Sequence, residues 1–213
     1  MIKQLAWLAF LSLTATARAQ PLNPYALTNP GSYSEFKVLP KGTYHEEILE
    51  NVALPGGRKG YHSRYDGPRD KADCIYEVTP KGDLLRLKVT TPAGYIRLNP
   101  PLLSLPNLDR TPKWSSTSRL TFYSARYPKG YDMSLATQTG RVIGTEKVTV
   151  PAGTFQCLKV EVKFAREVGI QWYARGVGLV KMKADSGEYL LTRYRTGHPA
   201  VVGPSGVRSI IYP

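Results

Sequence analysis

A chain of 213 residues with 29 lysines and arginines against 16 acidic residues carries a net charge of +13. That length suffices for one domain with a buried core, and the charge favours anionic neighbours such as lipid headgroups, acidic polysaccharide or nucleic acid. Three histidines in unrelated settings and two distant cysteines offer no metal-binding spacing, and no G-x-S-x-G elbow or dinucleotide loop is present, so neither an enzyme nor a cofactor is expected.

The chain opens like an export leader. Lys3 is the basic start, residues 5–13 the apolar core, and Ala17-Arg18-Ala19 the cleavage site, with cutting expected after Ala19. The core is too short to span a bilayer, and no later stretch is apolar enough to do so. Export to the periplasm or beyond makes nucleic acid the weakest of the three partners. It also provides an oxidising compartment, in which Cys74 and Cys157 are expected to form a disulfide. Closing a loop of roughly 80 residues would stabilise by about 4 kcal/mol in the chain-entropy account.

Residues 20–32 are proline-rich and polar, an extended arm ahead of a single domain over 33–195. Tyr33–Leu39 is the first expected strand. Residues 44–54 fit either two turns of helix, with Ile48, Leu49 and Val52 on one face, or a short strand. Residues 56–71 read as a basic, tyrosine-containing loop. Leu85, Leu87 and Val89 alternate with Arg86, Lys88 and Thr90, which is the period of a half-buried strand. The next residues, Val89-Thr90-Thr91-Pro92-Ala93-Gly94, are echoed by Val148-Thr149-Val150-Pro151-Ala152-Gly153. Each copy reads as a three-residue hairpin with a glycine bulge, and the two as equivalent corners of one large sheet.

Residues 99–113 hold four prolines, which points to an irregular crossing segment whose leucines form a flap. Strands are expected at 117–125 and 131–136, with turns at 128–130 and 137–140. The central stretch then places Val148 and Val150, and after the corner Leu158, Val160, Val162 and Phe164, on one apolar side. Strands at 169–174, 178–184 and 188–195 follow, and the tail from 196 is expected to be loose. The total is an all-β fold: a large curved antiparallel sheet, a half-open barrel of about ten strands, with at most one short helix.

The string from Val148 to Phe155, followed by Trp172 to Val180, resembles a family of exported bacterial proteins of unknown function. In its members a V-x-V-P-A-G-T-F hairpin precedes a W-Y-A-x-G-V-G-x-V run. Pro100-Pro101-Leu102-Leu103 with Trp114 is similar to that family's middle segment. More distantly the chain resembles the half-open barrels of the LolA and LolB type of lipoprotein carrier. That resemblance implies an envelope location and a concave apolar face that shelters acyl chains; it transfers no catalytic residue.

Two sites follow. An apolar groove for a lipid chain, or for a segment of an envelope partner protein, is expected from Leu102, Leu103, Trp114, Phe122, Phe155 and Trp172. A basic surface for anionic polysaccharide or headgroups is expected from Arg58, Lys59, Arg64, Arg69 and Lys71, reinforced by Arg119 and Arg126. A structural envelope protein without ligand is the third reading.

Overall fold

The computed structural model describes residues 23–68, 71–185 and 187–197. The leader, the first residues of the arm, Arg69 and nearly all of the tail lie outside the described residues. Twelve strands run in chain order: β1 (Tyr33–Leu39), β2 (Thr43–Leu54), β3 (Arg58–Asp66), β4 (Lys71–Val78), β5 (Leu84–Thr91) and β6 (Gly94–Leu105), then β7 (Lys113–Ser124), β8 (Tyr127–Val150), β9 (Gly153–Phe164), β10 (Glu167–Ala174), β11 (Gly178–Ala184) and β12 (Gly187–Arg195). Each pairs antiparallel with its chain neighbours, and β12 pairs with β1 to close a barrel. The all-β fold is the one expected, but its strands number twelve rather than about ten, and its wall is closed rather than half-open.

The additional strands come from segments whose local chemistry disguised them. Residues 58–66, read as loop, form β3, which pairs with β2 and β4 along its whole length. Buried Tyr61 and Ser63 share one face there, and exposed Arg58 and Arg64 share the other with Gly60. Residues 44–54 lie within a strand rather than a helix, and the only helical element among the described residues is a 3-10 turn at Pro55–Gly57. The prolines at 100 and 101 do not interrupt β6. Its pairing with β7 stops at Asn99 and its pairing with β5 skips from Arg97 to Leu102, so no ladder bond is asked of either proline.

β8 is one strand of 24 residues through both expected turns. The polar residues at 137–140 find cross-strand partners instead: the Thr117 and Thr137 hydroxyls are 2.9 Å apart, and Gln138 Nε2 donates to the Ser104 carbonyl at 2.9 Å. Both Pro-Ala-Gly corners are hairpins, but with two-residue loops, since Thr91 pairs with Gly94 and Val150 with Gly153. The glycines take φ of +147° and +135°, and a Cβ at Gly94 would strike the Tyr123 carbonyl. In an up-and-down barrel these corners lie at opposite ends, because one follows an odd-numbered strand and the other an even-numbered strand.

The expected disulfide is absent: Cys74 and Cys157 are free, buried thiols. The reason is topological. Cys74 on β4 packs with Tyr61, Tyr76 and Val160, whereas Cys157 on β9 packs with Trp172, Val148 and Phe36, and five strand steps separate β4 from β9. Neighbouring strands lie about 4.8 Å apart, so the thiols are far beyond bonding reach along the wall.

The arm is folded onto the barrel rather than extended. Asn23, Tyr25 and Ser32 are buried. Asn23 Nδ2 donates to the Pro106 carbonyl at 3.2 Å, and Gly176 N–H donates to the Pro24 carbonyl at 2.7 Å. The Tyr25 hydroxyl donates to Asp109 at 2.8 Å, and Arg175 reaches the same carboxylate at 2.8 Å while lying over the Tyr25 ring. Arm, β6–β7 loop and β10–β11 turn are thereby latched together at one end of the barrel.

Candidate functional site

Period-two alternation aims one side of each strand inward. From β2 these are Tyr44, Glu46 and Ile48; from β3, Tyr61; from β4, Tyr76; from β5, Leu84 and Arg86; from β10, Gln171 and Tyr173; and from β12, Tyr189. They line an interior cavity of about 440 Å³, whose floor includes Tyr25, Ala26 and Leu27 of the latched arm. That volume lies in the range of small-molecule sites, about 300–1,000 Å³.

The wall is largely aromatic. Tyr61 and Tyr76 stack with centroids 5.1 Å apart, and Tyr44 meets Tyr189 edge-on at 5.8 Å. Two polar pairs are already satisfied within it. The Tyr173 hydroxyl donates to Gln171 Oε1 at 2.7 Å, and Gln171 Nε2 contacts Met182 Sδ at 3.6 Å.

Two charged residues, Glu46 and Arg86, belong to the lining. Both lie deep within the protein, and each keeps partial exposure because it borders the cavity. Arg86 Nε donates to the Tyr76 hydroxyl at 3.1 Å, with its guanidinium carbon 5.4 Å from that ring's centroid. Among the described residues no carboxylate stands within ion-pair distance of it. Arg86 is shifted upward, chiefly through Tyr76, and stays charged. Burial lifts the Glu46 carboxyl above its usual range, against the opposing influence of Ser63 and Arg86. Burial likewise raises Tyr44, Tyr61, Tyr76 and Tyr173, so their hydroxyls are proton donors at neutral pH.

The six residues expected to form an apolar groove lie elsewhere than on this lining. Leu102 is fully buried in β6, and Leu103 and Trp114 pack in the cluster around Tyr61 and Tyr76. Phe122 meets Tyr127, and Phe155 meets Tyr194. Trp172 is on the side of β10 opposite Gln171 and Tyr173; its Nε1 donates to Glu146 at 3.1 Å, and Lys159 and Lys181 flank its ring.

The basic surface is largely paired within the chain. Arg58 meets Glu77 at 2.7 Å, Arg64 grips Asp73 in a two-point contact, Lys71 meets Asp66 at 3.3 Å and Arg119 meets Asp132 at 2.9 Å. Lys59 is exposed on β3, and Arg126 lies over the Tyr127 ring at 5.5 Å.

The interior set was hidden by two features. Reading 56–71 as loop removed Tyr61 from any strand face. On β5 the expectation that Leu85, Leu87 and Val89 point inward placed Arg86 outside. Leu84 and Arg86 point inward instead, Leu87 packs with Val52, Leu54 and Ile75, and Leu87 is the extra residue of a bulge against β4 that returns Val89 to the interior cluster.

Residues 102–187 match the profile of the DUF3108-like family. No curated protein matches the chain. Two solved structures are similar. One, from Bacteroides fragilis, is described as an exported protein with a YmcC-like fold; it is 14% identical, with a TM-score of 0.42 over 80% of this chain and 99% of that one. The other, from Parabacteroides distasonis, is described as a lipoprotein; it is 16% identical, with a TM-score of 0.39 over 83% of this chain and 99% of that one. No helix among the described residues is long and apolar enough to cross a membrane.

Proposed function

We propose that this is an exported, non-catalytic binding protein of the cell envelope that holds an apolar ligand, such as a lipid acyl chain, inside its barrel. The carrying observation is the interior cavity of about 440 Å³, walled by Tyr44, Tyr61, Tyr76, Tyr173, Ile48, Leu105 and Val162. A cavity of that size with aromatic and aliphatic walls and polar groups set among them suits small-molecule binding, where apolar contact supplies affinity and polar groups set orientation. The leader-like start and the resemblance to envelope carriers support the compartment. The alternative, a module for anionic polymers, is weakened because Arg58, Arg64, Lys71 and Arg119 already face carboxylates.

The test is titration with the neutral apolar fluorophore N-phenyl-1-naphthylamine, using the parent protein and a Ser104→Phe variant that fills part of the cavity. Saturable enhancement in the parent that falls at least several-fold in a variant with an unchanged circular-dichroism spectrum supports the reading. No saturable binding, or equal binding by both proteins, overturns it. Binding of an anionic polysaccharide that vanishes at moderate salt would favour the polymer reading instead.

A further inference from the structure

We propose that the ligand of the barrel interior is an amphiphile with a single carboxylate head, and that Arg86 is the group that receives it. This rests on the interior-binding reading and adds the head-group chemistry. The argument begins with cost. A guanidinium taken out of water is strongly penalised unless its charge and its N–H groups are matched. Arg86 has one matched donor, Nε on the Tyr76 hydroxyl at 3.1 Å, and a ring beneath it. Its two terminal nitrogens make no hydrogen bond with protein among the described residues, and the residue borders the cavity. Glu46, the acidic group of the same lining, stands outside ion-pair distance and is driven by burial toward its neutral form.

The unmatched part of the guanidinium is the planar pair of N–H donors that a carboxylate engages with two parallel hydrogen bonds. The rest of the lining narrows the class further. Arg86 is the one basic residue among the cavity-lining residues, so a dianionic phosphate would remain half neutralised beside Glu46, whereas one carboxylate is balanced. Tyr76, the partner of Arg86, and Tyr61, stacked on it, are held protonated by burial and offer O–H donors to the same head. Ile48, Leu84, Leu105, Val162, Leu179 and Met182 line the remaining volume for the chain.

The experiment compares three dodecyl probes, dodecanoate, dodecanol and dodecyl phosphate, by isothermal titration against the parent protein and Arg86→Met. The proposal expects the parent to bind dodecanoate about ten-fold or more tighter than dodecanol, the scale of one charge-assisted pair. Arg86→Met should abolish that preference and leave dodecanol binding in place. Binding of both probes with no preference in the parent would overturn the head-group assignment while the interior-binding reading stands. Binding of neither probe would overturn both, and tighter binding of dodecyl phosphate than of dodecanoate would overturn the carboxylate assignment. Should Arg86→Met fail to fold, the parent alone decides through the carbon-13 signal of carboxyl-labelled dodecanoate. A bound acid that titrates below the free acid supports an Arg86 contact, and one that titrates at or above it refutes the contact.

Discussion

Trp114 of β7 occupies the space that a side chain at Gly140 of β8 would need. The two are register partners, and the Cβ of an alanine at 140 would clash with the six-membered ring of the indole. Trp114 is buried in the cluster with Tyr61 and Tyr76, so it cannot move without disturbing the wall of the cavity. Gly140→Ala should therefore destabilise by about 2 kcal/mol, the usual scale of overpacking, and lower Tm by roughly 4–8 °C for a chain of this size. Adding Trp114→Leu should recover part of that loss, because the second change clears the space the first one fills. A Gly140→Ala protein that melts with the parent would show that the indole is not fixed there.

The two thiols give a second prediction. Cys74 and Cys157 are each 1% exposed, and burial pushes both up to about 11. The thiolate is the reactive form, so iodoacetamide at pH 8 should leave both untouched in the folded protein. In guanidinium chloride two thiols per chain should be alkylated with no prior reduction. A single disulfide-linked species in non-reducing mass spectrometry would contradict the separation of the two clusters.

Much of the wall could be read directly from the residues, and the failures share a cause. The β9 run announced itself because Leu158, Val160 and Val162 alternate with Lys159 and Glu161, and both Pro-Ala-Gly corners because proline and glycine mark a turn between strands. Composition rules failed where tertiary pairing overrode them. The tyrosine-bearing basic segment at 58–66 is held as β3 by full ladders on both sides, and the prolines at 100 and 101 pass because their ladder positions are vacant. The site was harder still. Its central residue, Arg86, is a charge on the inward face of a strand, and a rule that sends charges outward places it on the wrong side. Only the strand pairings and the bulge beyond Arg86 reveal its direction.

The seam that closes the barrel supplies the last prediction. β1 meets β12 through a bulge between Glu35 and Phe36, and the Glu35 side chain ties the two strands there. Its Oε2 accepts from Arg193 Nη2 at 2.8 Å and from the Tyr33 hydroxyl at 2.8 Å, while Oε1 accepts from the Thr192 hydroxyl at 3.0 Å. The Arg193 hydrogen bond, then that of Tyr33, lowers the carboxyl to about 2 from an ordinary value of 4.5. A carboxylate depressed on folding contributes stability that is complete above the unfolded value and is lost as pH falls through the interval down to the folded one. The Arg193 side chain is 71% exposed, so solvent screening holds the contribution to about 1 kcal/mol. Glu35→Gln should accordingly cost about 1 kcal/mol in urea titrations at pH 7. The gap between parent and variant should begin to narrow below pH 4.5 and nearly close toward pH 2. A gap that is the same at both ends of that range would mean that Glu35 acts at the seam by packing alone, without its charge.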